Sequence, residues 1–67
     1  MISESIRFQN GIVMVFDEKG EQMPEFQGRY EEVRAKILAR APKSARFFHG
    51  VWLNPLDNAN PVLRKEW

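Results

Sequence analysis

The chain has 67 residues, 43% of them hydrophobic, with eight aromatics, one histidine, no cysteine and a formal charge of +1. That length makes one domain, the missing cysteine excludes disulfides and thiolate zinc sites, and a lone histidine excludes a His-rich metal centre within one chain. No run approaches 18 apolar residues, and the opening MISESIRFQ has no basic segment followed by a long apolar stretch, so neither a membrane span nor a signal peptide is expected and a cytoplasmic protein is the default.

The first element is a hairpin. Ile6-Arg7-Phe8-Gln9 alternates apolar and polar, and Asn10-Gly11 follows, a pair in which both residues tolerate positive φ. Ile12 to Phe16 is then rich in β-formers. A two-residue turn sets Phe8 opposite Val13 and Ile6 opposite Val15, which places Ile6, Phe8, Val13 and Val15 on one face and Ile12, Met14 and Phe16 on the other, beside Arg7 and Gln9. Asp17-Glu18-Lys19-Gly20 reads as a second turn with Gly20 left-handed, and a short third strand over Glu21 to Met23 is limited to an edge by Pro24.

The helix follows. Tyr30, Val33, Ile37, Leu38 and Ala41 fall on one stripe at helical spacing. Glu31 and Glu32 at its start and Lys36 and Arg40 toward its end suit the macrodipole, and Pro42 stops it. Ala45 to Leu53 is the last strand, apolar on both sides: Ala45, Phe47, His49, Val51 and Leu53 on one, Arg46, Phe48, Gly50 and Trp52 on the other. NPLDNANPVLRKEW, with two Asn-Pro pairs, reads as an irregular tail anchored by Leu56, Val62, Leu63 and Trp67. The expectation is an α+β domain over residues 1–53 with three or four strands in an antiparallel or mixed sheet, order β-β-(short β)-α-β, one helix on one face, and a tail over 54–67 packed on the domain or on a partner.

A single helix covers one sheet face, yet two strands are apolar front and back. Leaving one Phe-sized side chain in water forgoes about 1.5–3 kcal/mol, so several would rival the stability of a small domain. The second face therefore predicts a binding surface, a homodimer in the first instance, with Met14, Phe16, Phe48 and Trp52 as its contacts and Val13, Val15, Phe8, Val33, Ile37, Phe47 and Val51 as the core beneath the helix. The tail or a different protein partner are the other candidate covers.

Charge suggests an alternative. Residues 1–32 hold seven acids against three bases (−4), whereas residues 33–67 hold seven bases against two acids (+5). Arg34, Lys36, Arg40, Lys43 and Arg46 are candidate phosphate contacts, and Arg46 beside Phe48 and Trp52 resembles a stacking platform for single-stranded nucleic acid. Much of this asymmetry is ordinary helix design, and the sequence isoelectric point near 8.2 is low for a nucleic-acid module. Arg34 lies within the apolar arc of the helix, where its stem covers the core edge and its head stacks on Tyr30 or pairs with Glu4, Asp17 or Glu21. His49 has no nucleophile motif around it, and it reads as a packed histidine or, since histidine titrates near neutrality, as a pH-sensitive interface residue. Asp17, Glu18 and Glu21 lack calcium-loop spacing, and Gly20 and Gly28 are isolated, so no catalysis and no cofactor is expected.

Overall fold

A computed structural model describes residues 1–51 and 59–67. Among the described residues five strands form one mixed sheet in the order β3-β2-β1-β4-β5, where β1 is Ile2–Phe8, β2 Ile12–Asp17, β3 Gly28–Arg29, β4 Arg46–Gly50 and β5 Asn60–Val62. The one α-helix among the described residues, α1, spans Tyr30–Arg40. β1 runs antiparallel to β2 and parallel to β4 at the centre of the sheet. The α+β class follows expectation. The sheet is wider than expected, its central pair is parallel, and Asn60–Val62 is a strand, not irregular chain.

The first hairpin sets the geometry. Gly11 sits at φ +86°, its amide donates to the Phe8 carbonyl at 2.9 Å, and the Ile12 amide donates to Asn10 Oδ1 at 3.0 Å. Gln9, Asn10 and Gly11 thus make a three-residue loop in which the last residue must be left-handed, a demand glycine meets without a Cβ clash. Arg7 then faces Val13 and Ile6 faces Met14. This is one residue away from the two-residue-turn register, and one residue exchanges the faces of a strand. Ile6 and Phe8 accordingly join Phe48, Met14 and Phe16 on the face away from the helix, while Ser5 and Arg7 lie on the helix face. Phe8 is therefore not part of the core beneath the helix. A bulge between Ile2 and Glu4 reverses the alternation once more and returns Ile2 to the helix face.

Downstream, Asp17 Oδ1 accepts the amides of Lys19 and Glu21, each at 2.9 Å, which holds its carboxyl below the usual carboxylate range. Gly20 is left-handed there, at φ +81°. Glu21 to Met23 lies along β2 through a Phe16–Gln22 bridge, with the Asp17 amide on the Glu21 carbonyl at 2.9 Å and the Met23 amide on the Val15 carbonyl at 2.8 Å, and the edge strand proper comes after Pro24, at Gly28–Arg29. A 3-10 turn over Pro24–Phe26 turns Phe26 into the core.

α1 buries Val33 and Ile37 and half-buries Tyr30 and Leu38. This is the expected stripe, and it packs on Ile2, Val13, Val15 and Phe47. The helix closes when the Ala41 amide reaches the Ile37 carbonyl at 2.8 Å ahead of Pro42. The final residues complete this core. Trp67 is 2% exposed, with its ring 4.9 Å from Phe47 and 5.3 Å edge-on to Tyr30, and its indole Nε1 donates to the Phe48 carbonyl at 3.1 Å. Arg64 donates to the carbonyls of Ala41 and Pro42 and lies over the Phe47 ring.

Two positions at the sheet centre lead to stability predictions. Gly50 faces Ile6 and Phe8 so closely that a Cβ there would stand 2.9 Å from Ile6 Cγ2 and 3.1 Å from Phe8 Cε1. Gly50→Ala is expected to lower stability by about 1–3 kcal/mol in urea denaturation, the range for overpacking a filled core. Ser5 is fully buried between Val15 and Phe47, and its hydroxyl has no hydrogen-bond partner among the described residues. Removing an unpaired buried hydroxyl relieves its desolvation, so Ser5→Ala is expected to raise stability by roughly 1 kcal/mol in the same measurement.

Candidate functional site

The face away from α1 carries Glu4, Ile6 and Phe8 from β1, Met14 and Phe16 from β2, and Arg46, Phe48 and Gly50 from β4. Its apolar character matches expectation, but it is not bare. Ile6, Phe8 and Phe48 are only 6%, 2% and 8% exposed in the single chain, and Ala59 packs on this cluster. Met14 and Phe16 are half-buried. What stays open is a depression of about 330 Å³, lined among the described residues by Glu4, Ile6, Phe16, Gly20, Arg46, Phe48 and Ala59.

The chemistry of this depression is mixed. Phe16 and Phe48 contribute aromatic walls. Arg46 is exposed and its guanidinium carbon lies 5.3 Å from the Phe48 ring centre, a cation–π arrangement that holds the charge at the rim. Glu4 is the registered neighbour of Arg46 across the parallel strands, yet the two make no ion pair. One charge of each sign therefore borders an apolar floor. Of the expected contacts, Met14, Phe16 and Phe48 share this face, and Trp52 lies outside the described residues. Ile6 and Phe8 belong with them, placed here by the hairpin register.

The five basic residues do not share a surface. Arg46 is across the sheet from the helix. Lys36 donates to the Glu25 carbonyl and stands 5.5 Å from the Phe26 ring, with exposed Arg40 one turn on. Arg34 lines a shallow groove with Leu38, Leu63, Arg64 and Lys65 on another side of the helix. It makes no ion pair with Glu4, Asp17 or Glu21; its Nε donates to the Tyr30 hydroxyl at 2.9 Å. Lys43 is exposed in the turn after the helix.

Tyr30 does carry a stacked arginine, but it is Arg7, whose guanidinium carbon sits 3.7 Å from the ring centre. Arg7 Nη1 also donates to the Trp67 main-chain oxygen at 3.0 Å, and His49 Nε2 stands 3.4 Å from the same oxygen. His49 is half-buried beside Arg7 across β1 and β4. Arg7 and Trp67 are 60 positions apart, and no local pattern joins them.

Among the described residues no helix is long and apolar enough to cross a membrane, and no three acidic, histidine or cysteine side chains gather as metal ligands. Comparison with protein-family models, with curated proteins and with solved structures gives no match.

Phe8 and Phe16 occupy the same face but differ in burial, and this is measurable. Phe8→Ala is expected to cost about 3–5 kcal/mol, the range for a core phenylalanine. Phe16→Ala should cost less than half as much, since part of its ring already meets water. Parallel urea titrations of the two variants check the ratio.

Proposed function

We propose that the protein is a small, non-enzymatic assembly module that associates with a second copy of itself through the sheet face away from the helix. The observation that carries this reading is the rim of the depression, where Glu4 and Arg46 lie side by side without pairing above Ile6, Phe16 and Phe48. A two-fold interface brings the same patch of both copies together, so each residue of the patch meets its own complement. Rotation about an axis through the depression sets Glu4 of one copy against Arg46 of the other, twice, while Met14 and Phe16 lose their remaining exposure.

The size of the surface bears on the strength. A standard interface takes about 800 Å² from each partner, which is roughly a sixth of this chain's 4618 Å². With Ile6, Phe8 and Phe48 already buried in the single chain, the apolar area left to cover is modest. The association is therefore expected to be weak and concentration-dependent, with the charge pairs setting its geometry more than its affinity.

Sedimentation equilibrium over a wide concentration range tests the proposal. Wild-type protein should self-associate. Arg46→Glu and Glu4→Arg should each weaken association about ten-fold, since every substitution acts twice in a two-fold interface and sets like charges together. Mixing the two variants should restore it. A wild-type protein that stays monomeric at high concentration, or variants that show no rescue on mixing, would sink the idea.

A further inference from the structure

The groove between α1 and the 3-10 turn at Arg64–Glu66 has a volume of about 550 Å³ and is lined by Arg34, Leu38, Leu63, Arg64 and Lys65. Its floor is aliphatic. Leu38 is half-buried against the core beneath the helix, whereas Leu63 is 60% exposed. With Met1, Leu63 is one of two large apolar side chains left open to water among the described residues. The stems of the three basic residues extend the same apolar surface, with their charged heads toward solvent. The groove shares no residue with the depression bordered by Glu4 and Arg46.

The rim carries three positive charges and no negative one. Two of these charges are held in place by uncharged partners. Arg34 Nε donates to the Tyr30 hydroxyl at 2.9 Å, and Arg64 donates to the carbonyls of Ala41 and Pro42 while lying over the Phe47 ring. Lys65 is exposed. None of the three makes an ion pair among the described residues. Glu31 and Glu66, the acids nearest to them in sequence, are exposed and do not line the groove. An open leucine thus sits among positioned cations whose charge nothing in the described fold balances.

We infer that this groove receives an acidic peptide segment of another protein, which sets an apolar side chain between Leu38 and Leu63 and carboxylates against Arg34, Arg64 and Lys65. Charge complementarity selects this occupant. A second copy of the chain docked two-fold on the same groove would bring like charges together, three against three. A single-stranded nucleic acid would find no aromatic side chain in the groove on which to stack its bases. A bilayer meets a protein along a broad apolar face and cannot follow a hollow between a helix and a turn. A peptide can fill the hollow with one side chain and reach the rim with its neighbours.

Fluorescence anisotropy of a labelled peptide, EEDFLDLE, titrated with the full chain tests the assignment. Binding should saturate and weaken as salt is raised. The peptides QQNFLNLQ, which keeps the apolar side chains, and EEDGGDGE, which keeps the acids, should each bind at least about ten-fold more weakly. Leu63 and Lys65 are exposed, so Leu63→Glu and Lys65→Glu spare the core; each should weaken EEDFLDLE about ten-fold by charge repulsion and leave the Tm unchanged. Lys36→Glu makes the same charge change as Lys65→Glu on another side of the helix and should stay within about two-fold of wild type. Absence of saturable binding, equal binding of QQNFLNLQ, wild-type affinity in both groove variants, or stronger binding of an oligothymidylate or of phosphatidylserine vesicles would each overturn the assignment. Sedimentation of Leu63→Glu should match wild type. Loss of self-association in that variant would give the groove to a second copy and overturn the assignment too, whereas loss in Arg46→Glu alone concerns only the opposite face.

Discussion

The left-handed glycine at the end of the first hairpin loop governs the sheet. With Gly11 at φ +86° and its amide on the Phe8 carbonyl, Arg7 must stand opposite Val13. Everything that distinguishes the two faces follows from that pairing. Arg7 comes to lie beneath Tyr30, Ser5 beneath the helix between Val15 and Phe47, and Ile6 and Phe8 against Phe48. A loop one residue shorter would carry the arginine to the far face and thrust Phe8 toward Tyr30. The Gly11 carbonyl also accepts the Tyr30 amide at 2.8 Å, so the same loop fixes where the helix begins.

A domain of this length with no cysteine, and so no disulfide, depends heavily on an efficient core. Here the sheet is buried on both sides. One cluster gathers Ile2, Val13, Val15, Phe26, Val33, Ile37, Phe47 and Trp67 beneath the helix, and the other gathers Ile6, Phe8 and Phe48. Trp67 ties the last residues to this arrangement. Its ring fills the space between Tyr30 and Phe47, its indole bonds to a carbonyl of the central sheet, and its main-chain oxygen receives Arg7. Arg64 closes the same corner by bonding to the carbonyls that follow the helix. Ordered chain ends of this kind do for a small fold what a covalent staple does elsewhere.

What could be read from the sequence and what could not divide along physical lines. The helix was legible because Tyr30, Val33, Ile37, Leu38 and Ala41 repeat at a period that only a helix explains. Met14, Phe16 and Phe48 were legible as a second face because β2 and β4 are apolar at odd and even positions alike. The face of β1 was not legible: Asn-Gly fits both a two-residue and a three-residue loop, and the choice between them reverses Ile6, Arg7 and Phe8. The start of β1 was also hidden, because Ser3, Glu4 and Ser5 look like surface residues, yet Ser3 lies in the bulge of β1, and Glu4 and Ser5 are paired on both sides at the centre of the sheet. β5 was concealed by Pro61, which suits an outer strand and also suits a loop. The groove between α1 and Arg64–Glu66 draws on residues from two distant segments, and only the folded chain brings them together.

The two rims of the sheet carry a further consequence. Among the described residues the outermost strand on one side is Gly28–Arg29, two residues long and leading directly into the helix; on the other it is Asn60–Val62, with a proline in the middle. Neither offers the uninterrupted row of free amides that an incoming strand would need as a template. A chain so rich in phenylalanine and β-branched residues is exposed to the hazard of cross-β stacking, and these short, interrupted borders steer it away from fibrils by denying sideways growth.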